Sequence, residues 1–430
     1  MKLQQDIVLT ERSATLAMNE LINEKRAKGE AVLHMGFGEA PFPVHSSICT
    51  ALEENSDKKS YLSTQGILPL RKKIVEFYHE MFNLEVEIDQ IIVAPGSKAL
   101  LFATLATLEG PLFLPAPSWV SYAPQAQFLK KETHFIKTTS DVNYRLTPEV
   151  LLAALEKFGK KKDKQKLLLL NYPCNPTGQS YSKKSLKALV DVARDNNIQI
   201  ISDEIYGLIT FDNQQHHSIA KFYPEGTITI GGPSKDRSLG GYRLGVMIIP
   251  KDNANLMKAI ISIGSEIWSC VPAPIQHAGI AAYDTHKEMQ KYIRTCTTIH
   301  EIITKYVHLQ LKRSNIRCPA PQGAFYLFPD WNFYQEELRE KGIYTSDELV
   351  TTLLQNWNVA TLPGTAFGMP PEYLALRIAT VDYNGEACLK HFIQNMESAK
   401  SNPDAFIGNV APRIKQACKQ LLAFTESLLK

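Results

Sequence analysis

Between Lys166 and Lys235 the chain reads KLLLLNYPCNPTG (166–178), IQIISDEIY (198–206) and TITIGGPSK (227–235). Each piece opens as a short run that is apolar at nearly every residue and closes on polar or turn-forming residues. Such runs suit strands covered on both faces, and the amphipathic stretches of ten to fifteen residues between them suit helices. Strand-helix alternation of this kind builds a parallel sheet. Working outward, IIVAP (91–95), PLFLPA (111–116) and RLGVMII (243–249) read the same way, so the α/β region spans about residues 91 to 250. One intervening helix is predicted to begin at Thr147-Pro148-Glu149. There a hydroxyl can cap free amides, proline is pre-set for the first turn, and a carboxylate meets the positive helix end.

After about Gly279 the texture changes to long charged amphipathic helices and then to strand-like pieces, GAFYLFPDW and LALRIATVD, which predict a smaller α+β domain. The expected division is residues 1–45 as an N-terminal arm joining the small domain, 46–280 as the large domain and 281–430 as the small one. The apolar stripe of RIKQACKQLLAFTESLLK near the C-terminus is expected to pack on the small domain. A chain of 430 residues with 44% hydrophobic content buries a large core without staples. A net charge of +3, from 47 basic and 44 acidic residues spread along the chain, gives no field suited to nucleic acid or an anionic membrane. Without an N-terminal signal stretch or a membrane-length apolar run, a cytoplasmic protein is expected. The seven scattered cysteines, never spaced Cys-x-x-Cys, are expected to be reduced thiols. The cluster Lys160-Lys161-Lys162, before Asp163 and Lys164, is read as a solvated loop, and His216-His217 lack further ligands for a metal.

In an open parallel sheet, ligands sit outside the carboxyl ends of the strands, and the chemically loaded residues of this chain collect there. Asn171 and Asn175 follow one strand, Asp203 and Tyr206 the next, and Ser234 and Lys235 a third, with Arg243 eight residues on. Strand 91–95 runs into Gly96-Ser97-Lys98, where a glycine and free helix amides could cradle a phosphate. A buried Asp203 needs a cationic partner, and a buried Lys235 is pushed toward its neutral, nucleophilic form. Taken alone, the two could equally be an ordinary internal ion pair.

The ordered series Asn-x-x-x-Asn-Pro-Thr-Gly, Asp-x-x-Tyr, Ser-Lys and a later arginine resembles the pyridoxal-phosphate aminotransferases of classes I and II. The likeness extends to Gly36-Phe37-Gly38-Glu39, Tyr61 before Gly66, Pro115-Ala116-Pro117-Ser118-Trp119 with Tyr122, Pro363-Gly364 with Phe367-Gly368, and Leu376-Arg377-Ile378. It leaves out only about the last thirty residues. The resemblance implies a large domain with a mostly parallel seven-stranded sheet between helices, a smaller α+β domain, and pyridoxal 5'-phosphate held on Lys235 as a Schiff base. Lys235 would then move the substrate Cα proton, and Asp203 would keep the pyridine nitrogen protonated. Asn175 and Tyr206 would bond the phenolic oxygen, and Trp119 would stack on the ring. Gly96, Ser97, Lys98, Ser234 and Arg243 would bind the phosphate, joined by Tyr61 from the other subunit of a homodimer. Gly38, Trp119, Asn175 and Arg377 would bind substrate, Arg377 clamping its α-carboxylate.

The same likeness implies cis bonds at Ala116-Pro117 and Asn175-Pro176. It also shows a departure, Gly232 standing where the family often has a hydroxyl for the phosphate. The implied reaction passes an amino group from an L-amino acid to a 2-oxo acid, 2-oxoglutarate by family habit, by a ping-pong route through pyridoxamine phosphate. An acidic or broad donor is expected, because Lys98 could reach a distal carboxylate. Cofactor motifs leave open a β-elimination lyase of the cystathionine type. A non-catalytic ligand-sensing module of the sort fused to DNA-binding domains is a third reading, disfavoured by the lack of room for a helix-turn-helix.

Overall fold

A computed structural model describes residues 1–2, 13–159 and 164–430 of the chain. The expected lysine loop at 160–162 lies outside these residues. A two-residue strand, β1 (Leu33–His34), comes first. The seven that follow are β2 (Ile91–Ala94), β3 (Leu112–Ala116), β4 (Thr133–Lys137), β5 (Lys166–Asn171), β6 (Ile198–Asp203), β7 (Thr227–Gly231) and β8 (Gly245–Ile248). They form one sheet in the order β2-β8-β7-β6-β5-β3-β4, parallel from β7 through β4, with β8 antiparallel to both β2 and β7. β5 is buried along its first five residues, and β6 at every residue but Gln199, as their apolar runs require.

Six of the seven strands fall where the apolar runs predict them. The seventh, β4, is THFIK at the sheet edge, where Ile136 is buried and Phe135 half exposed. Only one face of this strand is well covered, so it lacks the continuous apolar signature. The Thr147 hydroxyl accepts from the Val150 amide and caps the helix Pro148–Phe158, as the sequence predicts.

The remaining strands make two small sheets. β1 pairs in parallel with β10 (Val359–Ala360), while β9 (Tyr326–Leu327), β12 (Leu376–Ala379) and β11 (Leu362–Pro363) run antiparallel with β12 in the middle. The C-terminal helix Pro412–Ser427 buries Ile414, Leu421 and Phe424 in the same apolar cluster as Trp331, whose Nε1 donates to Thr425 Oγ1 at 3.0 Å. Arg413 of this helix pairs with Asp382 at 2.9 Å, which also accepts from the His34 amide in β1. The stripe expected to pack internally therefore does so. No helix among the described residues is long and apolar enough to cross a membrane.

Candidate active site

Register alone brings the key side chains together. Asn171 pairs across from Asp203, and Asp203 across from Ile230, so the ends of β5, β6 and β7 lie side by side just before Lys235. The loops from these ends form the floor of a cavity of about 400 Å³, and Phe37, Gly38, Glu39, Tyr326 and Arg377 close it from the small-sheet side. That volume suits a cofactor-sized ligand. Of the predicted positions, Gly38, Ser97, Lys98, Trp119, Asn175, Asp203, Tyr206, Ser234, Lys235, Arg243 and Arg377 line the wall. Gly96 and Tyr61 do not. Gly96 sits directly behind Arg243: a Cβ there would come within 2.1 Å of the guanidinium. Tyr61 is 89% exposed on the chain's own surface.

Asp203 and Lys235 are not an internal ion pair. Lys235 Nζ donates to the Gly38 carbonyl at 2.7 Å, and Asp203 accepts from the Tyr122 hydroxyl at 2.6 Å and the Ile205 amide at 3.2 Å. Burial pushes the Asp203 carboxyl up to about 6, against the opposing pull of those two hydrogen bonds. Burial likewise lowers Lys235 to about 8, with Glu39 resisting and the Arg377 and Arg243 cations assisting. Among the described residues Asp203 has no cation bonded to it, so its carboxylate stands ready for one from a ligand.

Asn171 fixes its neighbours: its Nδ2 donates to the Asp203 carbonyl at 2.9 Å, and its Oδ1 accepts from the Asn175 amide at 2.8 Å. Asn175 Oδ1 is buried with no partner among the described residues. Such an orphan implies a ligand group or water opposite it. Arg243 is turned back by a left-handed backbone, φ +54°, and its Nη1 donates to the Gly240 carbonyl at 2.8 Å. Its guanidinium thus meets the start of the helix Ser97–Thr107, whose first amides have no intrahelical acceptor. Ser234 adds a hydroxyl to that corner. At Gly232 a Cβ would lie 2.8 Å from the Leu244 carbonyl, so the backbone leaves no space for the missing hydroxyl residue.

Arg377 is buried between Tyr326 and Phe367, its guanidinium carbon 4.9 and 5.5 Å from the two ring centres, and its terminal nitrogen donates to the Gly36 carbonyl. Its Nε has no partner, and no carboxylate is paired with it among the described residues. Lys98 Nζ lies 5.0 Å from the centre of the Trp119 ring, and burial, then Arg243, lowers its pKa. Four cations, Lys98, Lys235, Arg243 and Arg377, thus face two carboxylates, Glu39 and Asp203. An excess of positive charge in a partly closed cavity suits an anionic ligand.

One sequence expectation is corrected. The Ala116-Pro117 bond is cis, but Asn175-Pro176 is trans, and the second cis bond is Tyr172-Pro173 in the same loop. The loop contains two prolines three residues apart, and any X-Pro bond can be cis. Wall residues that the sequence did not assign to the site are Ser13, Thr15, Leu16, Phe37, Glu39, Ile205, Gly240 and Tyr326, of which Phe37 and Glu39 stood in a quoted motif; Asn171, expected at a strand end, and Tyr122, expected beside Trp119, line the wall as well. The dipeptide His216-His217 has a structural use: His216 Nε2 lies 2.9 Å from the buried Glu204 carboxylate.

The sequence pattern of the family Aminotransferase class I and II matches residues 30–388. The chain belongs to this family. It is 33% identical to the aspartate aminotransferase of Geobacillus stearothermophilus over 86% of this chain and 93% of the relative. It is 30% identical to that of Bacillus subtilis strain 168, over 92% and 99%. The Thermus thermophilus aspartate aminotransferase solved with maleate superposes with a TM-score of 0.82 at 23% identity, covering 98% of this chain and 99% of that one. This class I/II aminotransferase therefore uses pyridoxal 5'-phosphate and transfers an amino group. The residues present fit that cofactor. They offer a buried carboxylate without a cation, an amine of lowered pKa, an unpartnered Asn175 oxygen and a cationic helix-start cradle.

Proposed function

We propose that this aminotransferase takes an acidic amino acid, aspartate first, as donor and 2-oxoglutarate as acceptor, in two half-reactions on one site. The observation that carries the reading is the pairing of two unneutralised cations in one cavity, Arg377 at the small-sheet side and Lys98 over Trp119. A dicarboxylic substrate offers one carboxylate to each. The aspartate aminotransferase names of the relatives support the same choice.

When bound, pyridoxal phosphate supplies an electron-withdrawing ring that accepts the electron pair left as the substrate Cα–H bond breaks. The chain's residues do the rest. Ser97, Ser234, Arg243 and the amides behind Gly96 hold the phosphate, and Trp119 covers one ring face. Asp203, fixed by Tyr122 and Asn171, keeps the ring nitrogen charged, while Asn175 and Tyr206 bond the phenolic oxygen. Lys235, with Gly38 beside it, would hold the cofactor and move the proton at the substrate Cα. Arg377 would hold the substrate α-carboxylate in a two-pronged grip and so orient its Cα.

The proposal includes a homodimer in which Tyr61 reaches the phosphate of a second copy, supported by its 89% exposure. It takes 46–280 as the cofactor domain and 281–430 with 1–45 as the smaller one, supported by the pairing of β1 with β10. A cytoplasmic setting belongs to the same reading, supported by seven unpaired thiols.

The test is a single half-reaction: aspartate alone should convert the bound cofactor to its amino form, seen by absorbance, with no second substrate present. Failure with aspartate but conversion by an aromatic amino acid would reject the donor assignment. Lys98→Ala should lower kcat/KM for aspartate by about tenfold or more, the worth of a partly solvated charged contact, while an aromatic donor changes by less than about threefold. Arg377→Ala should cost every donor roughly 2–5 kcal/mol in kcat/KM, chiefly through KM. A change under about fivefold would mean that another cation grips the α-carboxylate.

A further inference from the structure

Tyr326 lies in the cavity wall at the junction of three groups that the reaction uses. It sits on β9, fully buried, opposite Ala379 of β12, the strand that carries Arg377. Its ring forms one side of the slot that holds the Arg377 guanidinium, 4.9 Å from the ring centre. Its hydroxyl lies 2.9 Å from the Tyr206 hydroxyl and 3.5 Å from the Gly38 carbonyl. The Gly38 carbonyl is the oxygen that accepts from Lys235 at 2.7 Å. The approach to Gly38 is so close that a Cβ there would fall 2.0 Å from the Tyr326 oxygen.

Two buried phenols 2.9 Å apart cannot both donate to each other. If Tyr326 donates to the Gly38 carbonyl, it accepts from Tyr206, and the Tyr206 proton is spent inside the wall. If Tyr326 donates to Tyr206, the Tyr206 proton is free to point into the cavity. The Gly38 contact at 3.5 Å is at the outer limit of a hydrogen bond while the Tyr206 contact is 2.9 Å, so the second arrangement is favoured. A hydroxyl that accepts one hydrogen bond also donates a stronger one.

We propose that Tyr326 is a positioning residue that sets the donor direction of Tyr206 and so tunes how readily the bound cofactor loses its proton. This rests on the reading that Tyr206 faces the cofactor's phenolic oxygen. A hydrogen bond donated to that oxygen favours its anionic form, so weakening the donor raises the pH at which the bound chromophore deprotonates. The same ring supports Arg377, which places the carboxylate grip and the tuning of the cofactor on one side chain.

The experiment is an absorbance titration of the holoenzyme, with no substrate. Tyr326→Phe keeps the ring and removes only the hydroxyl. The midpoint of the cofactor's spectral change should rise by about 0.5 pH unit or more, a roughly threefold higher proton affinity. In a Tyr206→Phe background, the further change Tyr326→Phe should move it by less than about 0.2 unit, because the effect runs through Tyr206. Replacing Tyr326 by 3-fluorotyrosine, which keeps the shape and strengthens the donor, should shift the midpoint down. That arm decides the question if Tyr326→Phe fails to fold or to take up cofactor. A Tyr326→Phe midpoint that stays put while Tyr206→Phe moves it overturns the role of Tyr326 alone, as does an unmoved fluorotyrosine midpoint. If Tyr206→Phe also leaves the midpoint unchanged, the placement of Tyr206 at the phenolic oxygen fails, and the proposal with it.

Discussion

Lys235→Ala should abolish turnover, by at least about 10⁴-fold, while the protein still takes up pyridoxal phosphate. The reason lies in where the amine is and what surrounds it. Burial lowers Lys235 to about 8, so at neutral pH about a tenth of it is the neutral nucleophile, roughly 300-fold more than for an ordinary lysine. Lys98 is the other lysine on the cavity wall, and it sits over Trp119 on the side of the phosphate cradle. Borohydride reduction of the holoenzyme should therefore fix the cofactor on the peptide containing Lys235, and Lys235→Ala should yield no such adduct. The groups assigned to the phosphate and ring, Ser97, Ser234, Arg243 and Trp119, are untouched by the substitution, so non-covalent binding should survive. The rate of cofactor uptake by the free protein should climb with pH and level off near 8, since only the unprotonated amine attacks. An adduct on Lys98, or a rate still climbing past pH 10, would reassign the covalent residue.

What could be read from sequence, and what could not, follows from how far apart in the chain the cooperating residues stand. Asn175, Asp203, Tyr206, Ser234 and Lys235 are legible because each follows an apolar run whose every residue must be buried, and parallel strands carry their ends to the same edge. Arg377 was legible only through its motif, because nothing in its spacing says that β12 faces the large sheet. Tyr326 was not legible as part of the site at all. It reaches Tyr206 and Arg377 through the antiparallel register of β9 on β12, a pairing between segments about fifty residues apart that no local pattern records. Ser13, Thr15 and Leu16 were missed for a similar reason: they enter the cavity at the start of the helix Ala14–Ala27, which sequence distance separates from every other wall residue. The edge strand β4 was hidden by its own alternation, half of it being exposed. In the loop 171–178 the family likeness points to Asn175-Pro176 as the cis bond, whereas the cis bond is Tyr172-Pro173.

Asp203→Asn should act in opposite directions on stability and activity. In the cofactor-free protein the Asp203 carboxyl is raised from 3.8 to about 6, chiefly by burial, a difference that favours its neutral form by roughly 3 kcal/mol. The sign follows from the raised folded value. Above pH 6 the folded state must hold a buried charge that the unfolded chain holds freely in water, so stability is lost there. As pH falls from 6 through 3.8 that cost is relieved, because the folded protein takes up the proton first. Asparagine removes the charge and keeps one oxygen to accept from Tyr122 or Ile205. The cofactor-free Asp203→Asn protein should therefore be at least as stable as the parent at pH 7.5, by up to about 3 kcal/mol in denaturant unfolding. The advantage should shrink to nothing near pH 4. With cofactor the order reverses, since only a carboxylate can hold the ring nitrogen in its charged form, and turnover should fall by about 10²-fold or more. A variant that is less stable than the parent at pH 7.5 without cofactor would mean that the buried charge is already compensated inside the protein. A variant retaining more than about a tenth of the activity would mean that the carboxylate serves the fold rather than the ring. Together the two measurements separate a residue kept for packing from one whose cost to the free protein is offset only when a ligand brings the missing cation.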